Sequence, residues 1–277
     1  MNEEQSIKLI NFSLFISFYR YLVTVSRVDK FEEILHSYQE NIEEDVKKRV
    51  EFIRNYVKDA NAKGVVVGIS GGIDSAVTAA LAIIAMGKEN VIGVWMPAYS
   101  DPIHERDAKA LASAIDLNLV TVDLGSTFNN LAKEIEEIVS LNDLAKGNTK
   151  ARLRMTTLYA IASVKGYLVS DTCNYSEIYV GYMTKGGDGL ADFNPVGSLT
   201  KHQIRLLAKH LNIPKEIIEK APSADLWAGQ TDEQEMGFTY EDLDRYLLTG
   251  EGNKEVIEKI ERLHRISEHK RVLMPTI

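Results

Sequence analysis

The stretch Ser70-Gly71-Gly72-Ile73-Asp74-Ser75 breaks an apolar run, "VVVGI", and hands over to "AVTAALAIIAM", an apolar segment with helical spacing. Two adjacent glycines let a backbone approach an anion closely, the hydroxyls of Ser70 and Ser75 can donate, and a helix N-terminus adds its positive end. The group held there should be a phosphate or pyrophosphate. Asp74 would repel such a group unless a cation stands between them, and Mg²⁺ bridging the carboxylate to the phosphates removes the conflict. The spacing is not that of the Walker loop, which needs G-x-x-x-x-G-K-[ST].

Such a loop needs a strand before it and a helix after it. "GVVVGIS" is a short β-branched run of the kind buried on both faces in a parallel sheet. "VIGVWMPA" and "NLVTVDL" read as further strands, with "ERDAKALASAI" as the helix between them, and "LVSDT" as a later strand. The alternation predicts an α/β fold, an open parallel sheet with helices on both faces, Rossmann-like in organisation. Residues 31–60 read as one helical stretch with Val46, Val50, Ile53 and Val57 in a stripe. "GYMTKGGDGLADFNPVGSLTK" is too irregular for regular structure and too long for a simple connection, which marks it as functional.

The chain has 277 residues, 45% of them hydrophobic, and its 32 Lys+Arg against 40 Asp+Glu give a net charge of -8. One domain, 31–277, is expected, with 1–30 as a helical extension. The acidic balance weighs against a nucleic-acid partner. One cysteine, Cys173, excludes an intramolecular disulfide and any zinc site of several cysteines, and fits a cytoplasmic setting. The apolar stretch 7–25 is interrupted by Lys8 and Arg20, so it reads as a packing helix and not as a membrane span. Trp95 reads as core, and His104 and Glu105 as solvated or capping residues near a helix start.

The loop resembles that of the PP-loop ATP pyrophosphatases, whose fold is adenine nucleotide alpha hydrolase-like. Further motifs in order, "GNTKARLRM", "TCNYSEIYVGYMTKGGDGLADFNPVGSLTK", "PSADLWAGQTDEQEMGFTYEDLD" and "EHKR", resemble the ammonia-dependent NAD synthetases over about residues 31–275. The resemblance implies a ligase that adenylates the carboxylate of deamido-NAD with ATP and then releases AMP to ammonia. It implies Mg²⁺ on Asp74 and Glu177, and ATP contacts from Gly68, Ser70, Gly71, Gly72, Asp74 and Ser75, joined by Thr172, Lys201 and Ser223. Deamido-NAD contacts are implied at Arg152, Lys185, Asp188, Asp192, His269 and Lys270. The catalytic set is Asp188, Lys201, Ser70 and Asp74, with Asp188 attracting ammonium and helping to remove its proton.

The resemblance also implies a homodimer. With no glutamine-hydrolysing domain before the core, free ammonia is the expected nitrogen donor. Two departures stand out: Asp171 occupies a position where glycine is expected before Thr172, and "MPAYSD" is one residue longer than the usual segment. The rivals, an ATP pyrophosphatase acting on tRNA and a non-catalytic nucleotide sensor, are disfavoured by the acidic balance and by Asp74, Glu177, Lys201 and Asp188.

Overall fold

The computed structural model describes residues 29–222 and 231–277. The expected helix at 7–25, the extension as a unit, Ser223 and Trp227 therefore lie outside the described residues. Two helices, α1 (Lys30–Glu40) and α2 (Ile42–Asp59), open the described chain where one was expected. Asn41 makes the break: its side chain donates to Ser37 O at 2.8 Å and competes with the helical ladder.

The sheet comes next. β1 (Val65–Gly68) leads through α3 (Ile73–Met86) to β2 (Val91–Trp95), and α4 (Pro102–Ile115) leads to β3 (Asn118–Thr121). α5 (Gly125–Glu136) and α6 (Asp143–Lys165) carry the chain back to β4 (Leu168–Ser170). The four strands are parallel in the order β3-β2-β1-β4. The chain thus winds outward from β1 and then returns to its other side, so the strand order reverses between β1 and β4. In open parallel sheets a ligand crevice opens at the carboxyl ends of the strands flanking that reversal.

β1 is buried on both faces, and its residues divide between two cores. Val65 and Val67 join a core with residues of α2, α3 and α8 (Lys201–His210), while Val66 packs with Met155, Leu158 and Ala162 of α6. This is why the strand reads as a continuous β-branched run and does not alternate. α3 is rich in alanine because it is squeezed between β1, β2 and α2. A third, smaller core joins α7 (Tyr175–Val180) to α10 (Asp232–Met236), α11 (Tyr240–Thr249) and α12 (Lys254–Ile266) through Val180, Met236, Tyr240, Leu243 and Ile260. Between α8 and α10 lies the short α9 (Lys215–Glu219). The irregular 181–200 passage has no helix or strand, and one parallel bridge, Ser170 to Phe193, lays it along the edge of β4. Among the described residues no helix is long and apolar enough to cross a membrane.

Candidate active site

A cavity of about 270 Å³ opens at the β1/β4 reversal, and Gly68, Ser70, Gly72, Asp74 and Ser75 line it. Gly71 has φ of 75°, and a Cβ there would stand 2.6 Å from the carbonyl oxygen of His104, so only glycine fits. Gly72 N donates to Ser70 Oγ at 3.2 Å, and Ser75 Oγ donates to Gly72 O at 3.0 Å. Gly72 caps α3 without a side-chain acceptor, which leaves the first-turn amides of that helix to a ligand.

Lys201, Asp74 and Glu177 meet above this loop. The Lys201 ammonium lies 2.6 Å from Asp74 Oδ2 and 3.1 Å from Glu177 Oε1, with only 4% of its side chain exposed. Asp74 comes from α3, Glu177 from α7 and Lys201 from the start of α8, so the two sides of the reversal supply one cluster. Burial pushes the Glu177 carboxyl up to about 8, although Lys201 pulls the other way. Burial would lower the lysine, but Asp74 and Glu177 outweigh it and hold Lys201 charged.

The residues that aim this cluster had a weaker trace in the sequence. Asn174 caps α7 in a reciprocal box with Glu177, and its Nδ2 donates to Asp74 Oδ1 at 2.9 Å. Asp244, fully buried on α11, accepts from Ser176 Oγ at 2.5 Å and from His202 N at 2.8 Å, and these are the chain neighbours of Glu177 and Lys201. The Tyr240 hydroxyl lies 3.2 Å from Glu177 Oε1 and 3.1 Å from Asp232 Oδ2. Asp232 lines the cavity, its carboxyl is raised by burial, and its Oδ1 has no hydrogen-bond partner among the described residues. The N-x-x-E spacing could have pointed to Asn174; Asp232 looks in sequence like any acid at a helix start.

Two hard-oxygen carboxylates converging on one cationic point suit a Mg²⁺ ion, which commonly takes one or two protein carboxylates and completes its shell with phosphate and water. Among the described residues no group of three or more His, Cys, Asp or Glu has metal-site geometry.

Across the cavity stands the end of β4. Thr172 lines the wall, and Asp171 takes up its backbone: Oδ1 accepts from Thr172 N at 2.6 Å and from Cys173 N at 3.0 Å, while Oδ2 accepts from Asn194 Nδ2 at 3.0 Å. A carboxylate therefore organises the turn where the sequence led one to expect a glycine. Burial pushes the Asp171 carboxyl up to about 6. Asp188 lines the cavity with an exposed surface, and Thr184 N donates to its Oδ1 at 2.9 Å. Burial raises its carboxyl, which makes it a stronger base than a free aspartate. Cys173 donates its S–H to Asp188 O at 3.3 Å, and burial holds that thiol protonated.

The basic residues expected to contact deamido-NAD, Arg152, Lys185, His269 and Lys270, are not among the residues lining the cavity. Arg152 Nε donates to Lys185 O at 3.2 Å, Lys185 Nζ to His269 O at 2.5 Å, and Lys270 Nζ to Gly181 O and Met183 O, both at 2.7 Å. The structure thus chains Arg152, Lys185 and His269 together beside Lys270. Gly181, with φ of 68°, lets Ser267 pack against its backbone and brings this C-terminal segment in. Asp192 stands apart: its carboxylate accepts from Val169 N at 2.7 Å and from the Tyr159 hydroxyl at 3.1 Å, which ties the 181–200 passage to β4. Trp95 is core, as expected, and also reaches the cavity wall. His104, expected to be solvated or capping, is half-buried in that wall with Nδ1 3.1 Å from Lys220 Nζ.

The arrangement has relatives. The NAD synthase family model matches residues 45–274. The chain belongs to the NAD synthase family. It is 46% identical over 233 residues to the NH(3)-dependent NAD(+) synthetase of Carboxydothermus hydrogenoformans, covering 83% of this chain and 96% of that one. Among solved structures it superposes on the NMN synthetase of Francisella tularensis with a TM-score of 0.81, 37% identity, and coverage of 85% of this chain and 98% of the other. The NH3-dependent NAD synthetase of Campylobacter jejuni, solved with a nitrate ion, gives a TM-score of 0.70 and 33% identity over 85% of this chain and 97% of the other. The PP-loop fold expected from the sequence is the fold of this family.

Proposed function

We propose that this chain makes the amide of NAD. The nicotinate carboxylate of deamido-NAD attacks the α-phosphate of ATP and pyrophosphate leaves. Ammonia then attacks the acyl carbon, AMP departs, and the surplus proton is lost. The observation that carries this reading is the convergence of Asp74, Glu177 and Lys201 over a phosphate-shaped loop, in a cavity whose opposite wall presents Asp188. Membership of the NAD synthase family supports it, and the NH(3)-dependent relatives, matched along 96% of the Carboxydothermus chain, support free ammonia as the nitrogen donor.

Each side chain then has a task. The hydroxyls of Ser70 and Ser75, the amides of Gly71 and Gly72 and the first turn of α3 hold the pyrophosphate as it leaves. Gly68 and Thr172 shape the nucleotide wall, and Ser223 is a further ATP contact that the family resemblance implies. Lys201 exchanges its carboxylate partners for phosphate oxygens. Asp74 and Glu177 would hold Mg²⁺, which supplies charge neutralisation and polarisation of the phosphates when bound. Asp188 draws in ammonium and takes a proton from it. Arg152, Lys185, His269 and Lys270 supply positive charge to the phosphates of deamido-NAD, while Asp192 keeps the passage behind them in register.

A homodimer belongs to this reading. Ile138 and Val139, which follow α5, and Leu144, which begins α6, are 88%, 58% and 58% exposed and form an apolar run suited to a partner surface. Light scattering should return twice the chain mass. The reaction is tested by incubating the protein with ATP, Mg²⁺, deamido-NAD and ammonium while following NAD, AMP and pyrophosphate. Equal amounts of all three, dependent on ammonium, are expected. The corresponding mononucleotide acid should be run alongside, since the Francisella neighbour is an NMN synthetase; a preference for it would replace the dinucleotide. Absence of ATP cleavage with either acid would overturn the proposal.

A further inference from the structure

Lys220 was assigned no task by the sequence, yet it lines the cavity and grips the phosphate loop through a backbone carbonyl. Its Nζ lies 2.7 Å from Gly71 O, 2.7 Å from Asp107 Oδ2 and 3.1 Å from His104 Nδ1. Asp107, on α4, is completely buried, and its other oxygen takes Arg106 at 3.0 Å. Burying a carboxylate at that depth is costly unless it is paired. The pairing cation here is shared with a single loop carbonyl.

That carbonyl matters because of peptide geometry. In a planar trans peptide the C=O and the following N–H point in opposite directions. A donor that grips Gly71 O from the α4 side therefore turns the Gly72 N–H the other way, to the cavity face, where it now meets Ser70 Oγ at 3.2 Å. Gly71 has no side chain to hold its own plane, and its φ of 75° is one that two adjacent glycines could leave in several ways. The tether also spans the molecule: Lys220 follows α9 and Gly71 precedes α3, 149 residues apart.

We propose that Lys220 is a positioning residue for the pyrophosphate loop, one that locks the Gly71–Gly72 peptide with its N–H toward the phosphates and is itself anchored by Asp107. Lys220 lines the cavity, but its ammonium is committed to Gly71 O, Asp107 and His104, and its role is to act through the loop. The inference rests on the reading of the loop as a pyrophosphate cradle.

The test compares the parent with Lys220→Met, Lys220→Arg and the double variant Lys220→Met/Asp107→Asn. Inorganic pyrophosphate in Mg²⁺ buffer, titrated calorimetrically, is the probe, and kcat and KM for ATP are measured on the same preparations. Lys220→Met is expected to weaken pyrophosphate at least tenfold and to melt lower, because Asp107 keeps only Arg106 of its two cationic partners. The double variant removes the buried charge along with its lysine partner, so it should melt close to the parent while still binding pyrophosphate at least threefold more weakly and showing a raised KM for ATP. A role confined to stability predicts recovery of both. Lys220→Arg, which can still donate to Gly71 and Asp107, should bind more tightly than Lys220→Met. If the double variant does not fold, Lys220→Gln, a donor without charge, decides: binding equal to that of Lys220→Met overturns the proposal, and tighter binding supports it. Parent and double variant binding within threefold of each other would overturn the role of Lys220 alone. A parent that binds no pyrophosphate would overturn the cradle reading and this inference together.

Discussion

The two ends of the site are built differently. At the phosphate end, Lys201, Asp74 and Glu177 are held by each other and by Asn174, Tyr240 and Asp244, behind which lie the sheet and the third core. At the other end, exposed Lys185 and Arg152 and half-buried Lys270 spend their hydrogen bonds on backbone carbonyls and not on fixed carboxylates. The first end is preorganised for developing charge, where fixed dipoles and ions act most strongly. On the proposed reading the second end would exchange backbone partners for substrate, so it should govern affinity more than turnover.

Substitutions can break this contrast. Asp74→Ala should lower turnover by about 10³-fold, on the scale of losing a preorganised electrostatic group; loss of affinity with kcat preserved would refute the assignment. Lys201→Met leaves two carboxylates facing each other and should cost about 3–5 kcal/mol of stability, as removal of one partner from a buried pair does. Urea melts would measure it, and added Mg²⁺ should restore more stability to this variant than to the parent. Asp188→Asn should slow the ammonium-dependent step by about 10²-fold, the usual scale of general-base catalysis. Pyrophosphate release in the absence of ammonium should survive, and a parallel loss of both would move Asp188 to the first step.

At the exposed end, Lys270→Met should raise the KM for deamido-NAD by about tenfold, the factor that corresponds to 1.4 kcal/mol, with kcat little changed. The smallest effect concerns Asp171. Its folded carboxyl is pushed up to about 6, above its ordinary value of 3.8, so the folded state binds a proton more tightly than the unfolded chain. Its burial therefore weighs on stability at neutral pH, and the burden lifts as pH falls from about 6 toward 4. Asp171→Asn lacks that titration. The melting temperature of the parent should accordingly gain on that of the variant over this interval, and parallel curves would mean that Asp171 keeps an ordinary pKa.

Much of the phosphate end was legible because its signals are local. A β-branched strand, paired glycines and a small-residue helix lie within Val65–Met86, and the elements appear where their patterns place them. Asn41 divided a helix that periodicity alone had run together. The exposed end was named only through resemblance, since cations on loops have no period. Lys220 and Asp244 were silent for another reason: each acts on a partner far along the chain, and the sequence around it looks like an ordinary helix end or helix face. Asp171 shows the limit from the other side, because the residue was visible as a departure while its three hydrogen bonds were not.

Cys173 carries a last consequence. Its thiol is buried behind Asp188 and held protonated, so it is a hydrogen-bond donor and a poor nucleophile. As the one cysteine of the chain, it is also a built-in clock. Cys173 lines the cavity with only 5% of its surface exposed, so a disulfide reagent must enter the cavity and meet a local opening, and the labelling rate under native conditions reads that opening. Slower labelling with substrates bound would place the opening at the site itself.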